Sequence, residues 1–312
     1  MEYIKQILVI VDPTASEHPA ITKAALLAER FKARIELFVC DTKSARETRL
    51  AAHVRARPGE PFPVNIKAWL ETLAKPLRGR GLDVTTDCAH ADALHVGLID
   101  RTRHSRADLV VKDTHHHSLA RRTFLTNTDW QLIRSCPAPL LLTKNTTWAS
   151  VPRILAAVDP GHVNDKPEML DHWIVEHAAL IAHRLEGELH VVHVYLPLMI
   201  VGAATAGNPP LAAAVSAEDL AVEEASRRKL VTALLSEYEL GSERIHLEVG
   251  GPAQVLPRAA ESLDADVLTM GAIARSGLKR IFIGSTAEDV LERLPCDALI
   301  VKPPNFSEHI AL

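Results

Sequence analysis

The stretch Asp266-Val267-Leu268-Thr269-Met270-Gly271-Ala272-Ile273-Ala274-Arg275-Ser276-Gly277-Leu278-Lys279-Arg280-Ile281-Phe282-Ile283-Gly284-Ser285-Thr286-Ala287-Glu288-Asp289-Val290 decides how the chain is read. Its apolar opening, Val267 to Met270, has the length of a buried strand. Gly271 and Gly284 bracket a loop that carries Arg275, Lys279 and Arg280. Ser285-Thr286-Ala287-Glu288 has the capping-box spacing that starts a helix. Glycine lets a backbone approach a ligand closely, and the free amides at a helix start attract an anion. The stretch therefore reads as a phosphate cradle at the carboxyl end of a strand.

Working outward, the same alternation of strand and helix runs through the whole chain, twice. Ile4 to Val11 is a continuous apolar run ending at Asp12, as a strand buried on both faces requires. Helical spacing follows over Pro19 to Lys32, then a strand over Arg34 to Asp41. Further helices are expected over Pro63 to Arg78, Ala91 to Arg103 and from near Thr128. Strands are expected over Leu82 to Cys88, Asp108 to Val111 and Pro139 to Lys144. The pattern then restarts, with Ile154-Leu155-Ala156-Ala157-Val158-Asp159-Pro160 echoing Ile7-Leu8-Val9-Ile10-Val11-Asp12-Pro13. Helices over Glu168 to Leu185, Ala217 to Tyr238 and Ala253 to Leu263 alternate with strands over Glu188 to Tyr195, Arg244 to Val249 and Asp266 to Met270. Ala298 to Lys302 answers Leu140 to Lys144. Two copies of this alternation imply an α/β chain of two tandem doubly wound open parallel sheets, one over residues 1–147 and one over 151–305. Ligands of such sheets lie beyond the carboxyl ends of the strands, where the strand order reverses. That rule gathers Asp159, Val194, Gly250-Gly251-Pro252 and Met270-Gly271 at one place.

The totals narrow the function. With 312 residues there is room for two ordinary domains. A formal net charge of -4 and 4% aromatic residues argue against a nucleic-acid binder that works by phosphate neutralisation or base stacking. Cys40, Cys88, Cys136 and Cys296 form no Cys-x-x-Cys pair and read as reduced core thiols of a cytoplasmic protein. The N-terminus reads as a first strand and not as a signal peptide. Leu196 to Val215 is apolar enough to imitate a membrane span, but Pro197, Gly202, Gly207 and Pro209-Pro210 break it. It reads as a long loop, with no membrane span, that could cover a hydrophobic ligand or a partner.

The spacing Gly271-x2-Ala274-x9-Gly284-Ser285 resembles the nucleotide-binding signature of the universal stress protein family, Gly-x2-Gly-x9-Gly-Ser/Thr, with Ala274 at the second glycine. Together with the aspartate ending each first strand and Gly250-x-Pro252, it makes nearly the whole chain look like a tandem universal stress protein of the E type. That resemblance implies the adenine nucleotide alpha hydrolase-like fold and a stress response that includes resistance to DNA damage. It also implies ATP or a related adenine nucleotide as ligand. It places Asp159 and Val194 at the nucleoside, with Gly271, Ala274, Arg275, Gly284, Ser285 and Thr286 at the ribose and phosphates. It implies pairing through the last strand of each domain as well: Ala298–Val301 with Leu140–Thr143 as an intrachain pseudo-dimer, with a homodimer beyond that. The methyl of Ala274 costs about 1 kcal/mol or more where phosphate approaches or φ is positive. The first copy departs further. Lys112-Asp113-Thr114-His115 replaces the glycine motif, and Leu125-Thr126-Asn127-Thr128-Asp129 replaces Gly-Ser-Thr-Ala-Glu, so this domain is expected to be degenerate for nucleotide.

Blander readings stand beside these. The Gly271–Thr286 loop is also a turn that helix–sheet packing would need. Asp12 and Asp159 are also turn aspartates that bond their own backbone before a proline. His115-His116-His117 suggests zinc, but adjacent side chains diverge, so His115 and His117 are at most two ligands; a solvated loop is the reading preferred and no zinc is expected. His193 reads as a packed histidine. No nucleophile elbow, Walker lysine or magnesium-binding acid cluster is present, so a dedicated enzyme is not expected, although slow ATP hydrolysis needs only bound phosphates and a placed water.

Overall fold

The computed structural model describes residues 4–42, 65–114, 125–161, 169–197, 217–272 and 285–303. The chain packs as two units, Met1–Thr147 with Asp297–Leu312, and Trp148–Cys296. The first unit holds β1 (Gln6–Ile10), α1 (Pro19–Phe31), β2 (Arg34–Asp41), α2 (Ile66–Gly79), β3 (Val84–His90), α3 (Leu94–Ser105), β4 (Leu109–Asp113), α4 (Asn127–Ser135), β5 (Leu140–Thr143) and the last strand of the chain, β10 (Asp297–Val301). Its parallel strands run in the order β3-β2-β1-β4-β5. The apolar runs of the sequence are explained by this position. Leu8, Leu37 and Val110 are fully enclosed, and each such side chain contributes about 1.5–3 kcal/mol relative to an exposed one. Pro19 opens α1, and Lys32 closes it in the left-handed conformation at φ 58°. A capping box that the sequence reading did not assign is present on α4, where Thr126 accepts from the Asp129 amide and the Asp129 carboxylate accepts from the Thr126 amide.

The second unit holds β6 (Arg153–Val158), α5 (Leu170–Arg184), β7 (Glu188–Tyr195), α6 (Ala217–Leu234), β8 (Ile245–Val249), α7 (Pro252–Ser262), β9 (Val267–Gly271) and α8 (Ser285–Arg293). Its strands are all parallel, in the order β9-β6-β7-β8. Both units therefore have the doubly wound α/β arrangement expected. In each, the first strand is flanked on both sides by later ones, which is the reversal point of the strand order. Among the described residues no helix is long and apolar enough to cross a membrane.

The last strand departs from a simple division of the chain. It closes the second copy of the sequence repeat, 151–305, and packs with the first unit. It pairs antiparallel with β5, Ala298 opposite Leu142, Leu299 opposite Leu141 and Ile300 opposite Leu140, which is the pairing of last strands expected from the resemblance. The physical reason is that β5 would otherwise leave a row of unpaired backbone groups on an apolar strand. Charge fixes both ends of β10. At its start, Asp297 is 2.6 Å from the Lys23 ammonium of α1 and accepts from the Lys144 amide at 2.7 Å, with both charged side chains buried. Just past its end, Lys302 donates to the carbonyls of Cys136 at 2.7 Å and Leu132 at 3.3 Å, the open C-terminus of α4. Burial holds the Lys302 pKa down to about 8.

Removing one partner of a buried ion pair strands the other charge, at a cost of about 3–5 kcal/mol. Lys23→Met is expected to lower the stability read by urea unfolding by that amount, and the Lys23→Met, Asp297→Asn double variant to recover part of it. A single variant within about 1 kcal/mol of the parent would contradict the role given to the pair.

Candidate functional site

In a parallel sheet every strand delivers its carboxyl end to the same edge. In the second unit this brings Asp159, Tyr195, Gly250 and Gly271 to one edge, with β6 between β7 and β9 at the reversal of the strand order. The Asp159 amide donates to the Asp171 carboxylate of α5 at 3.1 Å, so the turn after β6 is tied to the start of that helix. The Asp159 carboxylate lies 3.7 Å from Nδ1 of His193, which is also 3.0 Å from the Val158 carbonyl. His193 is 1% exposed and stacks on Tyr195, so it is a packed side chain; burial, the largest influence, holds its pKa below the ordinary value. Above Tyr195 lies the Arg227 guanidinium of α6, 5.6 Å from the ring centroid and 3.2 Å from Glu223. It also rests against Gly161, where a Cβ would meet it at 2.5 Å.

Gly250 follows β8 at φ +145°, a conformation side chains disfavour, and its amide donates to the Tyr195 carbonyl at 2.9 Å. The turn it makes starts α7 at Gly251 and Pro252, with no side chain capping the helix. The first amides of α7 are thus presented at this edge, the arrangement that favours an anion. Gly271 has a different partner. A Cβ there would meet Leu170 at 2.7 Å, so the absence of a side chain lets α5 close on β9. Packing alone is thus a sufficient reason for that glycine.

The equivalent edge of the first unit is filled differently. Asp113 stands where Gly271 stands, counting from Asp108 and Asp266. Its Oδ1 accepts from the Ala20 amide at 2.6 Å and the Thr143 hydroxyl at 2.7 Å. It caps α1, which has no side-chain cap of its own. Burial raises its pKa, with those two donors pulling the other way. Lys112, in the place of Met270, is buried with its ammonium 2.8 Å from the Asp129 carboxylate and 2.8 Å from the Asp113 carbonyl. Asp12 binds the Thr14 amide and hydroxyl, both at 2.7 Å, as a turn aspartate does.

Of the residues singled out by sequence, Asp159, Gly250, Pro252, Met270 and Gly271 come to one edge, and Val194 precedes Tyr195 at the end of β7. Ser285 and Thr286 lie in the first turn of α8, with Ser285 one residue past the position of a capping serine. Ala274, Arg275, Lys279, Arg280, Gly284, the histidines 115–117, the basic stretches Arg46–Arg57 and Arg121-Arg122, and the apolar loop from residue 198 lie outside the described residues. Among the described residues no group of three or more metal-capable side chains is gathered. Sequence reading missed Tyr195, Arg227, Leu170 and Asp171. Only Tyr195, as the last residue of a predicted strand, carried a signal that could have found it.

Comparison with known proteins agrees with this geometry. The Universal stress protein family model matches residues 4–144 and again 151–302. Universal stress protein E of Escherichia coli (strain K12) is 26% identical over 318 residues, spanning 100% of this chain and 98% of the relative. The crystal structure of a functionally unknown protein from Pseudomonas aeruginosa PAO1 is similar with a TM-score of 0.75 at 29% identity, covering 98% of this chain and 95% of that one. A universal stress protein from Archaeoglobus fulgidus DSM 4304 has the same fold, with a TM-score of 0.65 at 16% identity over 95% of this chain and 98% of its own. With the family model matched twice in succession over the two copies, this chain belongs to the universal stress protein family as a tandem member.

Proposed function

We propose that this protein acts in a cytoplasmic stress response by binding ATP or a related adenine nucleotide in its second unit alone. One contrast carries the reading. At the same position of the two copies the first unit holds a buried aspartate, Asp113, and the second an uncharged glycine, Gly271. A phosphate charge about 5 Å from a carboxylate meets a repulsion of about 3 kcal/mol at an effective dielectric of about 20. The second unit has no such penalty at that position. In this reading Asp159 and Val194 meet the nucleoside. Gly250, Pro252 and the first turn of α8, Ser285 and Thr286, face the phosphates. The loop with Ala274, Arg275 and Gly284 completes the contact, with Ala274 holding the affinity to a weak or moderate level. The family resemblance supports the stress role, resistance to DNA damage included.

Calorimetric titration with ATP tests the reading. One equivalent per chain is expected, with Asp159→Ala weakening binding about ten-fold and Asp113→Gly leaving it unchanged. Silence at millimolar ATP from both the parent and Ala274→Gly would reject it.

The packing role of Gly271 is separable from binding. Gly271→Ala is expected to cost about 1–3 kcal/mol through its clash with Leu170. Leu170→Ala in the same chain should make the added methyl nearly neutral relative to Leu170→Ala alone. Equal losses in both backgrounds, in urea unfolding, would show that another contact sets the cost.

A further inference from the structure

β7 and β8 share more than their backbone ladder. His190 Nδ1 of β7 lies 3.1 Å from His246 Nε2 of β8, with the rings 19° from parallel and their centroids 5.4 Å apart. This is the geometry of one imidazole N–H donating to the bare nitrogen of the other. It requires that one of the two facing nitrogens carry no proton. When both rings are protonated, each presents an N–H to the other, the hydrogen bond is lost, and two cations are in contact.

The surroundings do little to relieve that. Glu188 of β7 is 3.7 Å from His190 Nε2, but Arg153 of β6 engages it at 3.4 Å and Arg244, just before β8, at 3.2 Å. Glu248 of β8 acts on His246. Among the described residues α6, which packs on β8, and α5 and α7, which pack on β7, bring no charge that acts on either ring. Burial is the leading influence on both rings and holds both pKa values below the ordinary one; for His190 the neighbouring His246 comes next.

The strand concerned is the outer one. Among the described residues β8 pairs with β7 only, and Val249 near its end is 54% exposed. We propose that the His190–His246 pair is an acid-released latch that fastens β8 to the sheet of the second unit. Above the ordinary histidine pKa of 6.5 both rings are neutral whether the strand is closed or open, and the latch holds in full. As pH falls below that value, the open form takes up protons that the closed form excludes. The opening constant then rises by up to about ten-fold per pH unit for each proton taken up, until the depressed pKa values of the closed form are passed. Release is local, because β8 is the one strand the pair joins to β7. It loosens the turn at Gly250 and the start of α7, which β8 positions. The latch itself rests on the histidine geometry and stands whether or not nucleotide binds.

Hydrogen exchange on the full chain at pH 7.5 and 5.5, corrected for the intrinsic rate, tests it. Protection of Ile245–Val249 is expected to fall about ten-fold more than that of Arg153–Val158. His246→Gln, which still pairs with His190 but cannot charge, should reduce the difference by the share of the second proton. No selective fall in the parent, or the same fall in the variant, overturns the latch. Should the variant fail to fold, proton NMR titration of the parent's histidines decides: both rings must titrate below 6.5, and a pair titrating at or above it overturns the proposal.

Discussion

The buried ion pair between Lys23 and Asp297 is the constraint on which the arrangement of this chain depends. It joins a helix near the N-terminus to the last strand of the sequence. A buried pair is not in itself a source of net stability, because the desolvation of two charges offsets their attraction. Its effect is on specificity. Asp297 has its acceptors filled by Lys23 and the Lys144 amide only when β10 lies against β5 in the observed register. A slip of one residue would leave a carboxylate and an ammonium buried without these partners and turn the strand's apolar side chains to the wrong faces. The antiparallel pairing of two short apolar strands is thereby given one register.

The two units show how one architecture supports different contents at its ligand edge. In both, the first strand stands between later strands and its carboxyl end opens on the reversal point. What differs is what lies there. In the first unit a carboxylate caps α1 and a lysine neutralises the carboxylate of Asp129. In the second a glycine lies in the place of that carboxylate, and the start of α5 is tied to the Asp159 amide through Asp171. The fold alone therefore does not settle function, and the identity of a few strand-end residues decides which charges the edge can accept.

Much of this was legible in the sequence, for physical reasons that can be named. Strands covered on both faces must be continuously apolar, so Ile7 to Ile10 and Ile154 to Val158 could be read directly. A helix from near Thr128 is legible, but the reciprocal bonds of Thr126 and Asp129 that start it are not, because that segment reads only as a decayed glycine motif. The placement of β10 with the first unit was not legible from its own residues, because Asp297 reads as an ordinary polar residue until Lys23 is found opposite it. Leu170 over Gly271 and Arg227 over Tyr195 were hidden for the same reason: each is a contact between elements far apart in the chain. The glycine pattern pointed to phosphate, whereas the structure shows for Gly271 a second requirement that phosphate does not explain. His190 and His246, each on an alternating strand, gave no sign that the β7–β8 register would bring them together.

The decay of the glycine motif in the first copy has a structural counterpart at the same edge. Asp113 binds Ala20 and Thr143. A nearby residue of each partner segment serves the strand anchor: Lys144 follows Thr143, and Lys23 lies about one helical turn beyond Ala20. The ends of β4, β5 and α1, which would face a ligand, are thus held in one buried polar network that terminates on Asp297. A glycine in place of Asp113 would free the α1 amide and the Thr143 hydroxyl together, each costing about 1–3 kcal/mol if left buried without a partner. In the second unit β9 and α5 meet through Leu170 and Gly271 without a charged group, and the corresponding helix start is tied to the backbone of Asp159 through Asp171. The second edge carries no strand anchor of this kind among the described residues, so no buried charge there has to be matched by another.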